Sequence, residues 1–139
     1  MVRVLATGTF DLLHPGHLLY LSKARELGDE LFVIVARESM IKHKPKPIIP
    51  EEQRLAMVQG LRMVDKAMLG NESDMFEPLK EINPDIIALG KNQYFNEEYL
   101  KERLNYKGLN AKIVRINSFE QGELCSSAAI IRKIQKERE

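Results

Sequence analysis

Five short apolar runs, at residues 2–6, 31–36, 66–69, 85–89 and 112–116, alternate with helical patterns along the chain, and nothing else restricts the possible folds as tightly. Short apolar runs with β-branched residues read as strands buried on both faces. After the first run, Leu18, Leu19, Leu21, Ala24 and Leu27 recur at helical spacing and Gly28 is placed to end the helix. Further helical patterns cover roughly 50–61, 75–82, 96–106 and 126–137. A repeating strand-then-helix order predicts a doubly wound α/β fold with a five-stranded parallel sheet. Such a sheet binds ligands outside the carboxyl ends of its strands, near the switch point after the first strand. With 139 residues and 44% hydrophobic content the chain can bury one core, so residues 1–139 read as a single domain.

The segment Gly8-Thr-Phe-Asp-Leu-Leu-His-Pro-Gly-His17 falls at that position, between the first strand and the first helix. Pro15 suits a first helical turn, where its missing N–H costs nothing, and Gly16 lets a ligand approach the backbone. The free N–H groups of a helix start favour an anion, so a polyphosphate is the natural occupant, with His14 and His17 as further donors. A lone histidine near a helix start is ordinarily a cap or a surface residue. Two histidines three residues apart across a helix start project toward one face. Three histidines and one cysteine in the whole chain leave no clear third ligand for a zinc site.

Charge and composition narrow the function classes. A net charge of +1 argues against a nucleic-acid binder driven by phosphate neutralisation. The single cysteine, Cys125, excludes an internal disulfide and fits a reducing compartment. No apolar stretch approaches the ~20 residues that span a bilayer, and the N-terminus lacks a signal-peptide pattern, so the expected location is the cytoplasm.

Three later segments carry polar chemistry. The loop at 37–49 sets Lys42, His43, Lys44 and Lys46 among Pro45 and Pro47, and leaves the sheet on the ligand side. Pro50-Glu-Glu-Gln-Arg54 opens a helix with proline and acids in its first turn, and Arg54 can grip two phosphate oxygens in a fork. Ser126 and Ser127 are placed to cap the last helix while offering hydroxyls to phosphate oxygens.

The Gly-x-Phe-Asp turn and the His-Pro-Gly-His element, matched by Gly8, Phe10, Asp11, His14, Pro15, Gly16 and His17, resemble the signature of the cytidylyltransferase-like branch of the nucleotidylyltransferase superfamily. The resemblance implies a Rossmann-like nucleotidylyltransferase fold and transfer of a nucleoside monophosphate from a nucleoside triphosphate to a phosphate acceptor. Across nearly the whole chain the likeness is to small archaeal-type FAD synthetases, which share the Pro47-Ile-Ile-Pro-Glu-Glu-Gln-Arg54 stretch and Cys125-Ser126-Ser127. Those enzymes often carry a second C-terminal cysteine that this chain lacks. Gly90-Lys91-Asn92-Gln93 is similar to a family Gly-x-Asp-x turn, with Asn92 where aspartate is common. A family arginine before the serine element, and its polar residue at the position of Ala129, have no match.

By this resemblance the chain moves AMP from ATP to FMN, giving FAD and pyrophosphate. The alternatives are cytidylyl transfer from CTP to glycerol 3-phosphate or a similar small phosphate, and an inactive nucleotide sensor. The acceptor phosphate is already anionic, so cations and donors rather than a base are the working parts. His14 and His17 are expected on the triphosphate, with His17 closest to the reacting phosphorus. Lys44 or Lys46 is expected on the α and β phosphates, and Arg54 and Ser126 on the leaving pyrophosphate. Further nucleotide contacts are implied at Thr7, Gly8, Thr9, Phe10 and Gly16, and at Gly90, Asn92, Cys125 and Ser127. Acceptor contacts are implied at Asp11, Lys44, Asn92, Gln93 and Tyr94. A divalent ion, Mg²⁺, is expected on the nucleotide phosphates, with Asp11 as a water-mediated ligand. Family members are commonly dimers, so a homodimer is expected.

Overall fold

The computed structural model describes residues 1–42, 45–74, 76–91, 93, 96–117 and 122–138. Strands β1 (Arg3–Gly8), β2 (Glu30–Val35), β3 (Lys66–Leu69), β4 (Ile86–Leu89) and β5 (Lys112–Arg115) form one parallel sheet in the order β3-β2-β1-β4-β5. The chain steps outward from β1 through β2 to β3 and then crosses to β4 on the other side of β1. The switch point therefore lies between the carboxyl ends of β1 and β4. The helices are α1 (Pro15–Glu26), α2 (Glu51–Gln59), α3 (Glu77–Ile82), α4 (Glu97–Tyr106) and α5 (Ser127–Glu137). A short 3₁₀ turn, Glu38–Met40, was not expected from sequence.

Period-two alternation divides the strand residues between two cores. Val4, Ala6, Val33, Val35 and Ala88 pack with Leu21 and Ala24 of α1 and Val58 of α2. Leu5, Ile34, Ile87 and Leu89 pack with Leu79 and Ile82 of α3 and Leu100 and Leu104 of α4. Both faces of the sheet are thus covered, which explains why the strands read as continuous apolar runs. No helix among the described residues is long and apolar enough to cross a membrane.

Most element boundaries differ from the sequence expectation by one or two residues. β1 continues to Gly8, because Thr7 and Gly8 pair with Ile34 and Val35. This carries the strand directly into the signature loop. α3 begins at Glu77, since the Asn71 side chain accepts from Ser73 and Asp74 N–H and the Asp74 carboxylate accepts from Phe76 N–H, a run of local turns that competes with helix.

Candidate active site

The signature loop is shaped by its own residues before any ligand is considered. Phe10 takes a left-handed backbone conformation (φ 55°) and is buried, with its ring folded back over Gly8. A Cβ on Gly8 would lie 2.8 Å from that ring, so the loop requires glycine there. The Phe10 ring also supports His17, with centroids 5.2 Å apart. The Phe10 ring is thus a core element that props up a histidine.

His14 and His17 form a reciprocal cap at the start of α1. His14 Nδ1 accepts from Gly16 N–H at 3.1 Å, and His17 Nδ1 accepts from His14 N–H at 3.3 Å. Each acceptor Nδ1 must be unprotonated, so in each neutral ring the proton resides on Nε2. The rings stack with centroids 3.7 Å apart. Partial burial lowers the pKa of His14 from its ordinary 6.5, which keeps the ring neutral at neutral pH. The cap thus converts both imidazoles into fixed Nε2–H donors. Gly16 makes this possible, because a Cβ there would meet His14 Cε1 at 2.9 Å and the Cys125 carbonyl at 3.2 Å.

The last helix is brought to the same loop. Ser127 Oγ donates to Leu12 O at 3.0 Å and accepts from Leu12 N–H at 3.2 Å, while Ser126 Oγ caps α5 by accepting from Ala129 N–H at 3.0 Å. The N-termini of α1 and α5 therefore meet at residues 12–16, two partial positive charges at one place. Ser127, expected on the nucleotide, spends its hydroxyl on joining the two elements.

At the switch point a second group of residues closes the crevice between β1 and β4. Tyr20 OH donates to Ala88 O at 2.7 Å and accepts from Thr7 N–H at 3.2 Å, and burial raises its pKa far above the ordinary value. Gln93, expected on the acceptor, donates Nε2–H to Thr7 O at 2.7 Å and accepts from Gly90 N–H at 2.8 Å. Arg115 Nη1 donates to Gly90 O at 2.9 Å and to Gln93 O at 2.6 Å. Tyr20 and Arg115 were missed by sequence reasoning. The available signals were a tyrosine among the leucines of an apolar helix stripe, and an arginine at the carboxyl end of a strand, on the ligand side of the sheet.

Three further residues expected at the site have polar atoms bonded to main chain in this structure. Arg54 is fully buried, with Nε donating to Ile49 O and Nη1 to Thr9 O and Ala36 O, each at 2.8 Å, while Nη2 has no hydrogen-bond partner among the described residues. Burial lowers its pKa, and Asp11, Glu51 and Glu38 counter that effect. Asp11 accepts from Ile48 N–H and Ile49 N–H, both at 2.9 Å, one on each carboxylate oxygen. Lys46 Nζ donates to Glu38 O and Ile41 O, each at 2.8 Å, and thus folds its own loop. Lys44, Asn92 and Tyr94 lie outside the described residues, as does His43. No cluster of three or more His, Cys, Asp or Glu among the described residues is arranged to hold a metal ion.

Comparison with known proteins agrees with this geometry. Residues 5–133 match the family model described as cytidylyltransferase-like. The chain is 62% identical over 98% of its length to the FAD synthase of Methanosarcina acetivorans, covering 90% of that protein. It is 63% identical to the FAD synthase of Methanosarcina barkeri, over 98% of both chains. A crystal structure of a Thermoplasma volcanium protein described as a lipopolysaccharide core biosynthesis protein superposes with a TM-score of 0.83 at 48% identity, covering 87% of this chain and 99% of that one. The chain belongs to the cytidylyltransferase-like family and is closely related to archaeal FAD synthases.

Proposed function

We propose that this chain is an FAD synthase, moving AMP from ATP to the phosphate of FMN. An FMN phosphate oxygen attacks the α-phosphorus, the bond from that phosphorus to the β-phosphate oxygen breaks, and pyrophosphate leaves. The observation that carries the reaction type is the His14–His17 cap, which fixes two Nε2–H donors where the N-termini of α1 and α5 meet. Its substrates are supported by the identity of about three residues in five to FAD synthases over nearly the full chain.

In this reading His17 and His14 stabilise charge on the α-phosphate and the departing oxygens, and the loop at Gly8, Thr9 and Gly16 receives the triphosphate. Ser126, exposed at the start of α5, faces the pyrophosphate, and Lys44 or Lys46 is the candidate cation for the α and β phosphates. The acceptor lies at the switch-point crevice beside Thr7 and Gly90, with Asn92 and Tyr94 as candidate contacts. Mg²⁺ arrives as part of the ATP substrate, held by phosphate oxygens and water. The partners are small molecules rather than nucleic acid or membrane, and the expected location is the cytoplasm. A homodimer is supported by α5, which buries none of its residues completely and leaves Ile134 52% exposed.

The test is pyrophosphate release by the purified protein with ATP or CTP, each against FMN and glycerol 3-phosphate. Preference for ATP with FMN, as a ratio of kcat/KM, is expected. Preference for CTP with glycerol 3-phosphate moves the chain to cytidylyl transfer, and no turnover with any pair favours a nucleotide sensor.

A further inference from the structure

Arg54 is the only polar or charged residue among the described ones that is fully buried, and it is far from idle. Its guanidinium ties together three separate segments: the signature loop at Thr9, the residue after β2 at Ala36, and the end of the following loop at Ile49. From the signature loop, Asp11 answers with both oxygens on the N–H groups of Ile48 and Ile49. The backbone at 48–49 is thus gripped by an anion through its N–H groups and by a cation through a carbonyl. At the other end of the same loop, Arg37 Nη1 pairs with Glu51 at 3.1 Å and its Nε donates to Gly70 O at 2.6 Å, while the second Glu51 oxygen accepts from Glu38 N–H at 2.8 Å. The loop between β2 and α2 is therefore fastened at both ends, and one of its fasteners is built into the signature loop.

We propose that Asp11 and Arg54 are paired positioning residues, which dock the loop between β2 and α2 onto the signature loop and touch neither metal nor substrate. The inference rests on the adenylyl-transfer reading for its kinetic consequence, but the docking itself can be read without turnover. A single-point cation cannot replace the fork, because Arg54 reaches three carbonyls in different directions. An amide cannot replace the Asp11 carboxylate, because it offers one acceptor oxygen where two N–H groups need partners.

The experiment compares Asp11→Asn and Arg54→Lys with the unaltered protein in two assays. The first is limited trypsin cleavage at the Lys42–His43 bond; Lys44 and Lys46 are each followed by proline, which protects those bonds from trypsin. The second is FAD formation as a function of Mg²⁺ and ATP. Both variants are expected to speed cleavage at Lys42 by about tenfold, because local opening of a fastened loop governs access. In Asp11→Asn, kcat/KM for ATP is expected to fall by about tenfold while half-saturating Mg²⁺ stays within about twofold. The double variant is expected to be little worse than either single one, since the two residues serve one contact. A rise in half-saturating Mg²⁺ with unchanged cleavage would make Asp11 a metal ligand and overturn the proposal; unchanged cleavage alone overturns it as well. Should Arg54→Lys not fold, Asp11→Asn, on a partly exposed side chain, carries the test by the same two readouts. If the unaltered protein makes no FAD, the adenylyl-transfer reading fails and the cleavage assay still decides the docking.

Discussion

Replacing His17 with alanine separates the catalytic job proposed for this residue from the structural one that its contacts show. The first is to donate from Nε2 to charge that develops during transfer, and loss of one such donor costs about a hundredfold to a thousandfold in kcat, or roughly 2.7–4 kcal/mol. The second is structural: Nδ1 accepts from His14 N–H at 3.3 Å and the ring stacks 3.7 Å from His14. Losing that half of the cap costs about 1 kcal/mol of stability, a few degrees in melting temperature, so the domain stays folded. The His14 cap on Gly16 N–H does not depend on His17, and ground-state affinity for ATP is therefore expected to stay within about fivefold. Steady-state FAD formation, ATP titration and thermal melting of the same preparation decide the matter. A loss of affinity that matches the loss in kcat/KM, with kcat unchanged, would refute the argument, because it would make His17 a uniform binding residue.

Three other outcomes follow from single contacts. Tyr20→Phe removes the hydroxyl that links Ala88 O to Thr7 N–H, and urea denaturation should show a loss of about 2 kcal/mol; a loss below about 0.5 kcal/mol would mean that this link between β1 and β4 is not needed. Gly16→Ala drives a Cβ against His14 and the Cys125 carbonyl, so FAD formation should fall by about tenfold or more with little change in the circular dichroism spectrum. His14 has its pKa lowered by burial, so on acidification the unfolded chain takes up the proton first. Stability from this group is intact above about 6.5, begins to fall below it, and is lost as pH passes the lowered folded value, where protonation of Nδ1 also breaks the cap. The acid limb of kcat/KM should accordingly lie below 6.5, and an acid limb above 6.5 would contradict the assignment.

The strands could be read from sequence because strands buried on both faces leave unbroken apolar runs, as at Val33, Ile34 and Val35. The histidine pair could be read because its chemistry is local: a cap closes over three residues, and Pro15 and Gly16 mark its place. The fasteners of the site could not be read in the same way. Asp11, Arg54, Gln93 and Ser127 were recognised as polar residues near the ligand side, but their partners are main-chain groups 37 to 115 positions away or on the far side of a turn. Every residue has a carbonyl and nearly every one an N–H, so such acceptors and donors leave no trace in the pattern of side chains. What stayed illegible was the main-chain partner by which the fold holds each of these groups. Tyr20 and Arg115 were overlooked for the opposite reason, since each is spaced like an ordinary member of its helix or strand.

The most direct test of the account follows the α-phosphorus. With ATP labelled at that position and FMN as acceptor, the label is predicted to appear in FAD in a one-to-one ratio with unlabelled pyrophosphate, and to do so with the unaltered protein but not at a comparable rate with His17→Ala. Label that stays in ATP, or is released as free AMP while FMN is unchanged, would contradict adenylyl transfer by this site.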